Sequence, residues 1–246
     1  MSTTATASIV FACVFGGALL GMFLRSVLPE HHLSSESKDV AKVAFGLVGT
    51  MAALVLGLLV SSAKGSYDAQ ASELNQLCAN VVLLDRVLGH YGPETKPIRD
   101  GLRAAAGRIR DQMWSTEGTS PIGSGAEVLY DKIGQLAPAD DKQRAAQSRA
   151  VELAMGLGQT RWLMYEQRTA GVSTPLLVVL VLWLTLIFAS FGLFAPVNAT
   201  VLVSLALAAL SVAGAVFLIL EMYSPYSGLI QISDAPLQAA MAQLGQ

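Results

Sequence analysis

The chain reads as an all-α membrane protein, with four transmembrane helices in two hairpins and a helical cytoplasmic insert between the second and third. Three observations predict this. Residues Val43 to Ala63 run 21 residues without a charge, enough to cross the roughly 30 Å hydrocarbon core as a helix. The chain is 53% hydrophobic and 14% charged, with a mean hydropathy of +0.52, outside the range of ordinary soluble domains. No proline follows the apolar run until Pro93, which predicts one continuous rod, half in lipid and half in water.

Hydropathy assigns the spans to Ser8–Leu24, Val43–Ala63, Pro175–Phe194 and Ala199–Leu220. The expected domains are a first transmembrane hairpin (1–63), a helical cytoplasmic domain continuous with the second span (64–174), a second hairpin (175–222) and an interfacial C-terminal segment with a short helix (223–246). The N-terminal stretch lacks a positive n-region, so it reads as a retained first span and not as a cleaved signal. A polar loop, PEHHLSSESKD, closes the first hairpin. The second is closed by Ala195-Pro-Val-Asn198, short enough to predict that its two helices are antiparallel neighbours.

Orientation follows the basic residues. Arg25, Lys38 and Lys42 surround the first loop, while Lys64, Arg161 and Arg168 flank the insert; long loops count for little in this rule, so the two sides nearly balance. Two further points favour an insert and both termini in the cytoplasm, in a plasma (inner) membrane: the thiol of Cys78 and the lack of an export signal. Both Cys13 and Cys78 are expected as free thiols.

Helical periodicity runs through the insert. Leu74, Leu77, Val81, Leu84 and Leu88 form one seam on the rod. After a turn at Tyr91-Gly92-Pro93, Ile98, Leu102, Ala105, Ile109 and Met113 form a second. Glycines and prolines between Gly118 and Gly125 predict a loop. A short helix over 126–136 follows, and Pro138-Ala-Asp140 opens a last helix whose Val151, Met155, Trp162 and Tyr165 share one side. Such seams make a small helical bundle or a coiled-coil contact between subunits.

Composition excludes several functions. The net charge is −2, and the insert carries 13 basic against 13 acidic residues between Lys64 and Arg168, so no nucleic-acid partner is implied. GxxxxGK[ST], GxSxG and HExxH are absent, which argues against an enzyme and implies no cofactor. His31 and His32 sit with Glu30 and Glu36 in the first loop, but adjacent residues rarely converge on one ion, so no metal site is expected. Asp140 and Asp141 stand where a helix begins and read as caps.

Small residues on the spans are more informative. Gly46, Gly49, Ala53, Gly57 and Ser61 share a narrow sector of the second span, ending at Lys64, and Ser204, Ala208, Ser211 and Ala215 form a similar run on the fourth. Either stripe allows close helix packing within one subunit. The first also suits the lining of a narrow axial path in a homo-oligomer, with small inorganic ions as passengers. Glu221 is the acidic residue abutting a span; pairing with Lys64, Arg161 or Arg168 would make an interfacial charge cluster, either a structural anchor or a ring shaping ion selectivity. The C-terminal stretch carries interfacial tyrosines, then a short helix with Ser233 as cap and Pro236 in its first turn. Leu237, Ala240, Met241 and Leu244 give that helix an apolar face to dock on the insert or lie along the membrane.

Several of these residues carry a family resemblance: Asn198, Ser211, Gly214, Leu220-Glu221-Met222, Pro225-Tyr226-Ser227-Gly228 and Ser233-Asp234-Ala235-Pro236. This block, with VSSAKGSYDAQ and LDRVLGHYGPE on the rod, resembles the bestrophin-like domain family of bacterial and plant membrane proteins. The resemblance implies kinship to bestrophins, pentameric anion channels with four membrane helices per subunit and a pore lined by the second.

Two functions follow as expectations. One is an oligomeric ion channel, anions more than cations, with the second span around the axis. The other is a non-conducting membrane scaffold or sensor whose cytoplasmic helical domain binds a partner. The lack of an ionisable residue deep in any span speaks against a proton-driven motor or secondary transporter.

Overall fold

The computed structural model describes residues 2–29, 35–114, 125–169 and 171–245, and the regular structure among them is helical. In chain order the helices are α1 (Thr3–Val27), α2 (Ser35–Tyr91), α3 (Lys96–Met113), α4 (Gly125–Gly134), α5 (Asp141–Thr169), α6 (Thr174–Phe194), α7 (Ala199–Met222) and α8 (Ala235–Gln243). Four of them, α1, α2, α6 and α7, are long and apolar enough to cross a membrane. Two compact units emerge, one of Met1–Gly65 with Gly171–Tyr223 and one of Ser66–Ala170 with Ser224–Gln246. The rod is real: α2 runs 57 residues unbroken and contributes to both. It stops at Gly92, whose φ of +143° is a backbone conformation that favours glycine. The buried Thr95 hydroxyl closes this turn, within 2.6 Å of the Leu88 carbonyl and 2.8 Å of that of Gly92.

In the membrane unit, α1 exceeds its hydropathic core at both ends because its polar first turn satisfies itself. The Ser2 hydroxyl accepts from the Ala5 amide at 3.2 Å, and the Ser8 hydroxyl donates to the Thr4 carbonyl at 2.9 Å. Val10, Val14, Ala18 and Met22 recur at four-residue steps and pack against Phe188 of α6 and Leu205, Ala209 and Val216 of α7. The closest backbone approach is between α1 and α6. A Cβ on Gly17 would stand 2.7 Å from the Thr185 carbonyl, one on Gly21 would strike that of Ala189, and one on Gly192 would strike that of Ala18. Since the numbers rise together, the two helices run parallel, as the first and third of four successive spans must. Arg25, at the end of α1, donates to the Ala195 carbonyl at the end of α6. The hairpins are therefore hairpins of connectivity, and α1 takes its packing partners from the other one. α7 starts at the predicted corner, where the Asn198 side chain accepts from the Val201 amide at 2.8 Å.

One loop is shorter than expected. PEHHLSSESKD was to be polar coil through Asp39, yet α2 already begins at Ser35, since Ser, Glu and Lys suit a helix's first turns. Glu30, His31 and His32 lie outside the described residues, as does the side chain of Glu36 and most of the Gly118–Gly125 loop.

The second unit is a helical bundle. The rod seam Leu74, Leu77, Val81, Leu84 and Leu88 is buried, and so are Ile98 and Leu102 of α3, with Ala105 and Ile109 partly covered. The α5 seam is only partly the expected one. Val151 packs against the core and Tyr165 is half-buried, but Met155 and Trp162 are 55% and 59% exposed, while Ala150, Leu153, Ala154, Leu157 and Met164 face the core. Alanines in the buried face let α5 approach closely. Asp140 does cap α5, accepting from the Gln143 amide at 2.7 Å while Gln143 accepts in turn from the Ala139 amide. Gln147 ties α4 to α5 by donating to the Ile133 and Leu136 carbonyls at 2.9 and 2.8 Å.

Of the two courses expected for the C-terminal segment, docking on the insert is the one seen, and residues from 224 onward supply core to this bundle. Tyr226, Ile232, Leu237, Ala240 and Leu244 are buried with the residues of α2, α3 and α5. Trp114 holds it, donating from its indole to the Ile232 carbonyl at 2.9 Å and meeting the Tyr226 ring edge-on. Ser233 accepts from the Ala235 amide at 3.2 Å, close to the predicted cap.

Candidate functional site

α2 has three faces where it crosses the membrane unit. Ala52, Leu59 and Ala63 are buried against Leu180 and Ile187 of α6 and Ile219 of α7. Val43, Leu47, Leu54 and Leu58 lie on a second face, 60–77% exposed, and suit hydrocarbon. Centred about 120° from the packed face, at 100° per residue, lies the predicted stripe. Gly46, Ala53, Gly57, Ser61 and Lys64 are exposed and Gly49 is half-buried. Nothing stands within 4 Å of a Cβ on Gly46 or Gly57, and the nearest atom to one on Gly49 is Ile187 Cδ1 at 4.0 Å. The stripe on α7 is likewise largely uncovered, with Ser204, Ala208 and Ser211 exposed and Ala215 half-buried. Neither predicted stripe packs this chain's helices together. That work falls to Gly17, Gly21 and Gly192.

At the end of the stripe the charges separate by unit. Glu221, on the last turn of α7, is 2% exposed and accepts a 2.6 Å hydrogen bond from the Thr3 hydroxyl. A carboxylate is disfavoured at a helix C-terminus and favoured at an N-terminus, so the first turn of α1 compensates what α7 opposes. Thr3 was not singled out from the sequence; its only signal is a hydroxyl in the first turn of the first span. Ser62, midway along α2, and Tyr223, the residue after α7, share a 3.0 Å hydrogen bond, which brings the end of α7 beside the middle of α2 and, with them, Glu221 and Lys64 to one level. Arg161 belongs to the other unit. It borders an apolar cavity there, and burial together with the like charge of Arg108 lowers its pKa. The side chain of Arg168 lies outside the described residues.

A different ion pair was overlooked. Asp85, buried on the rod between Leu84 and Leu88, takes two hydrogen bonds from the Arg99 guanidinium at 2.8 and 2.7 Å and one from the Gly245 amide at 3.1 Å. Burial alone would raise its pKa; the hydrogen bonds and the charges of Arg99 and Arg103 outweigh that and lower it. Farther up α2, Glu73 accepts from Gln167 of α5 at 2.5 Å. Cys78 is buried and its thiol is pushed up to about 11, burial outweighing a backbone hydrogen bond. Among the described residues no three His, Cys, Asp or Glu side chains gather to hold a metal.

The sequence profile of the bestrophin-like domain matches residues 12–237. The chain belongs to the bestrophin-like family. The bestrophin-like match includes all six stripe positions, Glu221, the insert and the tail as far as Leu237. Comparison with curated proteins and with solved structures gives no match. The bestrophin-like family is not an enzyme family, and the four long apolar helices of this chain suit a lipid bilayer.

Proposed function

We propose that this bestrophin-like chain is the subunit of a homo-oligomeric ion channel of the plasma (inner) membrane. Membership in the family suggests a channel-related membrane function. One observation carries the finer reading: α2 keeps a face of small residues uncovered, distinct from both its packing face and its bulky apolar face. A helix facing only lipid has no need of two unlike exposed faces, because hydrocarbon is best met by large aliphatic side chains. Copies arranged with that face inward give a path lined by Gly46, Gly49, Ala53, Gly57 and Ser61, where backbone and hydroxyl dipoles meet the ion. Lys64 at its mouth favours anions. The insert and both termini lie in the cytoplasm, and Lys64, Glu221, Arg161 and Arg168 bring charge to that side.

Planar-bilayer recording of purified protein tests this. Chloride current is expected from the native chain. Gly57→Leu should reduce unitary conductance several-fold by narrowing the path, and Lys64→Glu should move the reversal potential toward the cation value. Silence across a range of anions and cations would sink the channel reading. It would favour the scaffold or sensor, to which the separate hydrophobic core of the second unit lends support.

A further inference from the structure

Inside the second unit, α2, α3, α4 and α5 leave a cavity of about 50 Å³. Leu77, Val81, Leu102, Ala106 and Leu157 are among the side chains that wall it, and among the described residues Arg161 is the one charged group that borders it. Space of that size exceeds what a water needs, about 10–15 Å³, and falls short of the roughly 150 Å³ that accepts benzene. Apart from Arg161 its walls are aliphatic and offer water no set of hydrogen-bond partners, so water is a poor occupant. An alkyl group of about two to four carbons is a good one.

Arg161 gives the cavity a polarity. It is half-buried, and among the described residues no carboxylate pairs with it; the charge beside it is another arginine, Arg108. A guanidinium drawn out of water is best satisfied by an anion, and its planar fork of donors matches a carboxylate in two hydrogen bonds. Both the neighbouring cation and the loss of solvent make an anion at this point favourable. We propose that this cavity binds a short-chain monocarboxylate, with its alkyl chain among Leu77, Val81, Leu102 and Leu157 and its carboxylate on Arg161, assisted by Arg108. The assignment does not depend on whether the chain conducts.

Titration calorimetry of the full-length protein in detergent tests it, with butyrate, sulfate and decanoate as probes at matched ionic strength. Butyrate should bind saturably. Arg161→Gln, which removes the anion's partner, and Ala105→Leu, which fills the cavity, should each weaken it about ten-fold, the worth of one charge-assisted contact or a few buried methylenes. Sulfate, with no alkyl chain, should bind far more weakly than butyrate. Should Arg161→Gln fail to elute as a folded species, Arg108→Gln on the exposed surface of α3 replaces it, with a smaller weakening expected. Equal affinity in native and variant proteins, sulfate binding as well as butyrate, or no saturable butyrate heat would overturn the proposal. So would affinity that keeps rising from butyrate to decanoate, because that would require a longer channel than this cavity.

Discussion

Asp85 shows how one side chain can set the behaviour of a bundle. It is nearly inaccessible, it receives three hydrogen bonds, and its partners come from α3 and from the residue just beyond α8. Asp85→Asn would take from the Arg99 guanidinium, itself largely covered, the carboxylate that accepts two of its hydrogen bonds. Removing one member of a buried pair costs about 3 kcal/mol or more, so a clear drop in the melting temperature of the second unit is expected at neutral pH. The acid dependence has a definite sign. A carboxylate whose folded pKa is depressed contributes stability that is full above its unfolded value, about 3.9. That contribution is lost as pH falls toward the lower folded value. Thermal unfolding followed by tryptophan fluorescence at pH 7 and at pH 3 should therefore show the gap between native and Asp85→Asn protein narrowing in acid. A gap that stays constant with pH would mean that the pair's charge contributes nothing.

Between helices, the decisive contacts are made by the absence of side chains. Gly17 and Gly21 of α1, four residues apart, let the α6 backbone come within the space a methyl group would need. Gly46 of α2, equally small and equally within a span, touches nothing. The two positions give a matched test. Gly21→Ala must force α1 off α6 and should cost at least about 1–3 kcal/mol by overpacking, read as a lower melting temperature in detergent. Gly46→Ala should leave stability unchanged or raise it slightly, through helix propensity alone. Equal effects would mean that α1 and α6 do not cross as described. The contrast also marks what the sequence could convey. Spacing alone identified the face shared by Gly46, Gly49, Ala53, Gly57 and Ser61, because periodicity is a property of one helix. Which small-residue face packs is a property of two, and nothing near Gly21 points to Ala189. The same limit hid Asp85, an acid within a leucine seam whose partner Arg99 stands on another helix. On α5 it placed the seam at Met155 and Trp162, since bulk was the only guide to burial available there.

At the scale of the molecule, residues far apart in sequence close each unit. In the first, the start of α1 meets the end of α7 through the bond from Thr3 to Glu221; in the second, the tail is buried with the residues of the insert. The bundle is therefore discontinuous in sequence, with residues 224–246 reaching it only after α6 and α7 in the chain. Leu237, Ala240 and Leu244 of the tail are as buried as the seam of the rod, and Arg86, Trp114 and Asp85 all bond to it. Truncation before Ala235 removes three buried apolar side chains, one of them an alanine, along with a donor to Asp85. At about 2 kcal/mol for each of the two leucines the loss is about 4 kcal/mol, a large share of the roughly 5–15 kcal/mol that keeps a domain folded. Limited proteolysis should then cut the truncated protein within 66–170 at protease concentrations that leave the native chain intact, while the four spans remain in the membrane fraction. Unchanged resistance would show that the insert closes its core without the tail. Cleavage extending into the spans would show instead that the two units depend on each other for folding.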